Sequence, residues 1–184
     1  MSIREVVPIN NSFIKKYISF DRKIPYLTGT YDLEKHKNLF KKEEYVSLYQ
    51  QFTELEIFEE CSREERQLLA PIVNIEYSKN NAPVLTFPNF SPLLTPEKAV
   101  FLSEEDSIAY LQNEFSIKGY EDNEIGKFLE SIIHFCDEYN LVLDDCLFNL
   151  SNIGYNEIFG FRLIDYGLTN ELMETFNEAK NYLS

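Results

Sequence analysis

Three of the seven prolines fall within nine residues, Pro88, Pro92 and Pro96 of the segment PNFSPLLTP. Proline donates no backbone N–H and fixes its own φ, so neither a helix interior nor a central strand runs through this stretch. The chain must change element type near residue 90, which sets the expected boundary between a region 1–90 and a region 91–184. The patterns on the two sides differ. IVNIEY (72–77) and PVLTFP (83–88) predict two short strands around the turn SKNNA. From Tyr45, the recurrence of Phe52, Leu55, Phe58 and Cys61 predicts a helix, and SREE at 62–65 predicts a capping box opening a short second one. Beyond the prolines, Thr95-Pro96-Glu97 and Ser103 mark two helix starts. The clearest helix spans 123–139, with Ile125, Phe128, Leu129, Ile132, Ile133, Cys136 and Tyr139 on one face. His134 flanks that face and is expected in the interior. The last residues, 171–184, predict a further amphipathic helix. Residues 1–44 carry no pattern that assigns them to a fold.

Charge narrows the function classes. With 17 Lys+Arg against 31 Asp+Glu the net charge is −14, so an extended phosphate-neutralising surface is not expected. Residues 97–138 concentrate the effect, with eleven acids and three lysines, a net of −8. An acidic helical surface of this kind suits a basic protein partner. No apolar run approaches the ~20 residues of a membrane helix, and no membrane association is expected. Three cysteines without a CxxC pair, in a chain with no secretory signal, fit reduced thiols and a cytoplasmic location.

The chemistry lies in residues 139–169, YNLVLDDCLFNLSNIGYNEIFGFRLIDYGLT. An apolar run leads into Asp144 and Asp145, an Asn-rich loop follows, and two short apolar runs surround the turn NEIFG. The second run delivers Asp165 into Tyr166-Gly167. A carboxylate at a buried strand end presents a hard oxygen to a cation, and magnesium prefers one or two such oxygens plus phosphate oxygens. Asn152, thirteen residues earlier across the hairpin, supplies a second oxygen, and an upstream Asp can accept a proton from a hydroxyl. Taken alone, an Ile-Asp-Tyr-Gly strand end is more often only a turn, with Asp capping a neighbouring backbone group.

Asn152-Ile153-Gly154-Tyr155 and Leu163-Ile164-Asp165-Tyr166-Gly167-Leu168 resemble the catalytic and metal-binding loops of the protein-kinase-like fold, especially small bacterial and phage-type kinase-like proteins. The resemblance implies an α+β fold with a reduced N-lobe and a truncated helical C-lobe. It also implies ATP and Mg2+ as cofactors, Asn152 and Asp165 as metal ligands, and Asp145 as the catalytic carboxylate. Glu56, or its neighbour Glu54, takes the place of the glutamate that positions a nucleotide-binding lysine.

Several features depart from the family pattern. The family places its catalytic Asp five residues before the metal Asn, where this chain has Leu147; Asp145 lies seven before. Counting from Asp144 selects Asn149 instead, which then lies sixteen residues before Asp165. No Gly-rich loop precedes residue 50, and no lysine is identified, with Lys23, Lys41 and Lys42 left unranked. These departures favour a pseudokinase-like binding or regulatory protein over an active ATP-dependent phosphotransferase. An acidic inhibitor or immunity-type protein that blocks a nucleic-acid-binding or toxin partner is the third reading.

Overall fold

A computed structural model describes residues 4–174; most of the helix expected over 171–184 lies outside them. The chain is mixed α+β and divides into two compact units. One comprises the residues to Cys61 together with Pro71–Asn89. The other comprises Ser62–Ala70 together with the chain from Phe90 on. The short capping-box segment after Cys61, placed above in the first region, therefore belongs to the second unit. Among the described residues, no helix is long and apolar enough to cross a membrane.

The first unit is a four-stranded antiparallel sheet, order β1-β2-β4-β3, backed by a long helix. Its strands are β1 (Arg4–Pro8), β2 (Phe13–Ile18), β3 (Asn74–Tyr77) and β4 (Pro83–Pro88). The N-terminal residues thus supply half of the sheet. Their strand pattern was masked because Lys16 occupies an inward position between Ile14 and Ile18, where alternation calls for an apolar residue. The β3–β4 hairpin turns at Asn81, whose φ of 66° is tolerated by asparagine better than by most residues. The side chains of Asn80 and Asn81 donate to the carbonyls of Phe20 (2.6 Å) and Ile24 (2.7 Å), pinning the loop after β2 to this turn.

Helix α1 (Thr30–Lys35) precedes α2 (Lys42–Glu60). On α2, Leu48, Phe52, Leu55 and Ile57 are buried together with the polar residues Gln51 and Glu54, so the helix is enclosed over much of its girth. Gln51 holds it to the sheet. Its amide donates to the carbonyls of Lys16 (3.0 Å) and Pro83 (2.8 Å), and its oxygen accepts from Arg4 Nε (3.2 Å).

In the second unit, Ser62 and Glu65 exchange the two bonds of a capping box, 2.7 and 3.2 Å, ahead of a 3₁₀ turn at Glu65–Leu68. Three helices follow, α3 (Pro96–Ala99), α4 (Glu104–Ile117) and α5 (Asp122–Glu138). Ser103 caps α4 by accepting from Asp106 N at 3.1 Å. On α5, Ile125, Ile132, Phe135 and Cys136 are buried. Ile133 instead faces outward, and His134, expected inside, is 81% exposed beside Glu138. One residue of drift at 3.6 residues per turn puts Phe135 rather than Ile133 on the inner face.

A small antiparallel sheet, β5 (Ser91–Pro92), β6 (Ile153–Asn156) and β7 (Gly160–Leu163), completes the unit. Phe115 of α4 stacks on Phe161 of β7 at 3.9 Å between centroids, with Tyr120 and Phe128 against the pair. Gly154 lies where β5, β6 and the strand exit crowd together. A Cβ there would sit 2.9 Å from Phe90 Cβ and 3.0 Å from Ile164 Cγ2. Gly154→Ala is therefore expected to destabilise the protein by about 1–3 kcal/mol, the usual range for overpacking. Urea denaturation followed by circular dichroism measures it, and an unchanged midpoint would contradict this packing.

Candidate functional site

The hairpin β6–β7 sets the geometry of the second unit's polar loops. Ile153 pairs with Leu163, so Asn152 and Ile164 stand opposite each other at its open end. The Ile164 amide donates to the Asn152 carbonyl at 2.8 Å, which places Asp165 one residue beyond a fixed point. Three residues later, the Leu168 carbonyl accepts from Val142 N at 3.0 Å. The segment carrying Asp165 is thus held at both ends, and Tyr166 between them is fully buried. Leu69 and Ala70 brace the outer side of β7, Ala70 N donating to the Leu163 carbonyl at 2.8 Å.

Asp144–Phe148 forms one turn of π-helix, closed by Asn149 N donating to the Asp144 carbonyl at 2.9 Å. A tighter turn follows, with Asn152 N donating to the Asn149 carbonyl at 2.8 Å. These two turns take up the seven-residue separation of Asp145 and Asn152. As a result the Asn152 side-chain amide donates to the Asp145 backbone carbonyl at 3.0 Å. With its nitrogen fixed there, the Asn152 side chain has its oxygen left as the acceptor end. Asn149, the alternative metal residue, is used within the loop. Its nitrogen meets Asp145 Oδ1 at 3.3 Å, and its oxygen accepts from Ser151 Oγ at 2.7 Å and Ser151 N at 3.3 Å. Asp144 is exposed, while Asp145 and Asp165 are both half-buried.

The two half-buried carboxylates share a neighbour. The Cys146 thiol is pushed well above its ordinary range, first by a hydrogen bond with Cys136 and then by burial, with the charges of Cys136, Asp145 and Asp165 adding to both. Both carboxylates therefore lie near enough to that buried sulfur to add to the cost of its thiolate. Among the described residues, no three His, Cys, Asp or Glu side chains cluster as a self-sufficient metal cage. One carboxylate and one amide oxygen instead suit a magnesium ion that takes its remaining ligands from water and phosphate. Asn152 and Asp165 are the residues that would hold such an ion.

In the first unit, considered by itself, the buried polar centre is an ion cluster on α2. Glu54 has no exposed surface; its carboxylate meets Lys16 Nζ at 2.8 Å and also pairs with the Arg4 guanidinium. Lys16 Nζ lies 4.7 Å from the centroid of the Phe87 ring. Glu56 is turned elsewhere and caps the start of α1, accepting from Thr30 N at 2.9 Å and Thr30 Oγ1 at 2.8 Å. Lys16 is not among the lysines the sequence singles out, because it breaks the alternation of its own strand and its carboxylate partner lies 38 residues away. Of the three lysines considered, Lys41 stands at the N-cap of α2, Lys42 is its first residue, and Lys23 lies in the loop after β2.

No protein-family model, curated protein or solved structure matches this chain.

Two outcomes follow from these surroundings. Glu54→Ala leaves two buried cations facing each other and is expected to cost about 3–5 kcal/mol, whereas Lys16→Met costs less because Glu54 keeps Arg4. Equal losses for the two variants in urea melts would contradict the shared cluster. Cys61, Cys136 and Cys146 are all buried, and the Cys146 thiolate is disfavoured, so thiol reagents at pH 8 should label the folded protein little. Stoichiometric labelling is expected only on unfolding; fast labelling of folded Cys146 would count against this environment.

Proposed function

We propose that the protein is a pseudokinase-like regulatory protein of the protein-kinase-like fold, which binds a magnesium nucleotide and docks a partner protein through its acidic helical surface. The observation that carries the reading is the clamp around Asn152. Its side chain is tied to the Asp145 carbonyl and its backbone carbonyl to Ile164, so a single residue orders both carboxylate-bearing loops. In this role Asn152 and Asp165 hold the ion, which neutralises phosphate charge, and Asp145 orients whatever hydroxyl or water approaches. The topology of the first unit supports this reading, since four antiparallel strands backed by one helix are compatible with a reduced N-lobe.

A second reading, an active phosphotransferase, is favoured by one observation. The buried Lys16–Glu54 pair is the type of lysine–glutamate pair that kinase-like proteins require, and the sequence had left its lysine unassigned. The wide turn at Asp144–Phe148 and the absence of a Gly-rich loop favour the binding role. Most of phosphoryl transfer is positioning, and these departures remove positioning elements.

Thermal unfolding with and without ATP and magnesium tests the proposal. A ligand at 100 times its Kd adds ~2.7 kcal/mol, which moves the midpoint by several degrees. The shift should require magnesium, vanish in Asp165→Ala and shrink in Asn152→Ala. Phosphate release from ATP should remain at background; clear turnover would promote the phosphotransferase reading. No shift with millimolar nucleotide would overturn the nucleotide site and leave the acidic-inhibitor reading.

A further inference from the structure

Helix α4 is buried on one side only. Ser107, Leu111 and Phe115 turn inward, whereas Glu104, Glu105, Ile108, Ala109 and Gln112 follow one another around the other side at helical spacing. With Phe148, these five residues line an open groove of about 520 Å³, and ligand pockets usually span roughly 300–1,000 Å³. Its apolar surface comes from Ile108, Ala109 and Phe148, and its acidic rim from Glu104 and Glu105. Among the described residues, neither glutamate has an ion-pair or hydrogen-bond partner. Asp106, in contrast, is engaged with Ser103 Oγ at 2.8 Å. Phe148 is not adventitiously placed, since its carbonyl accepts from Ser107 Oγ at 3.1 Å and ties the helix to the end of the π-turn.

We propose that this groove docks a peptide segment of a partner protein in which cationic side chains flank aliphatic ones. The aliphatic groups lie on Ile108, Ala109 and Phe148, and the cations meet Glu104 and Glu105. The inference rests on the docking part of the function proposed above and gives it a location and a chemistry. Charge complementarity selects the occupant. Two carboxylates without an ion-pair partner, in the first turn of α4 and in a region of net −8, repel nucleic acid and acidic peptides, while the apolar surface is left uncovered by a bare polycation. Because Phe148 closes the turn that bears Asp145, the occupied groove adjoins one of the two carboxylate loops.

Fluorescence anisotropy with the full chain tests this, using a fluorescein-labelled ten-residue peptide that carries two arginines followed by two leucines at alternate positions. Binding is expected to weaken about tenfold or more in the double variant Glu104→Lys, Glu105→Lys, and also at high salt. It should weaken as well in Ala109→Gln and with a peptide whose leucines are replaced by serine. These positions are exposed or half-buried on a helix, and circular dichroism verifies that each variant is folded. Peptide binding that is insensitive to all three substitutions overturns the groove while leaving an acidic docking surface elsewhere. No binding by the folded wild type at ~1 mM peptide overturns both. The same titration on Asp165→Ala, expected to be unchanged, separates peptide docking from the nucleotide site.

Discussion

A carboxylate held entirely out of water is costly unless cations and hydrogen bonds replace its solvent, and Glu54 is held that way. Lys16 from β2 and Arg4 from β1 provide the compensation, while Gln51 secures the adjoining backbone. The arrangement leaves little freedom to the first unit. A one-residue slip of β2 would turn Lys16 to the opposite face and strand Glu54 without its lysine. The helix, the two N-terminal strands and the register of the sheet are thus coupled through a single charge. Apolar residues of the sheet such as Ile18, Leu85 and Phe87 resist the same slip, and the buried charge adds to that resistance.

The second unit uses a neutral counterpart of the same strategy. Asn152 connects two loops through a side-chain and a backbone hydrogen bond, and the β6–β7 hairpin supplies the rigid base for both. Gly154 is part of that base, because only a residue without a Cβ lets β6 approach Phe90 and Ile164 so closely. The carboxylates of Asp145 and Asp165 both act on Cys146, which concentrates negative charge on one side of the unit.

The two units also differ in what their polar residues leave available. Lys16 and Glu54 satisfy each other in the interior. On α4, Glu104 and Glu105 have no partner among the described residues and sit beside apolar surface. Paired buried charges constrain how a fold packs, whereas unpaired exposed charges remain open to other molecules. The net charge of −14 thus includes both carboxylates paired in the interior and carboxylates left exposed on a helix surface.

Local patterns in the sequence were enough to place the β3–β4 hairpin, the capping box at Ser62, the helix start at Ser103, the helix after residue 122 and the short strands around NEIFG. Each depends on residues close in the chain, where spacing alone decides which side chains share a face. The thirteen-residue interval between Asn152 and Asp165 was legible for the same reason, as the length of a hairpin. Only the tertiary structure decided which glutamate of α2 is the charged centre, because Glu54 and Glu56 differ by 200° around a helix that is enclosed over much of its girth. It also decided that Lys16 belongs to the interior, since a lysine among apolar residues enters a core only when a distant carboxylate awaits it. The seven-residue path from Asp145 to Asn152 was likewise closed by a π-turn and an asparagine side chain, bonds between loop residues that no apolar periodicity encodes.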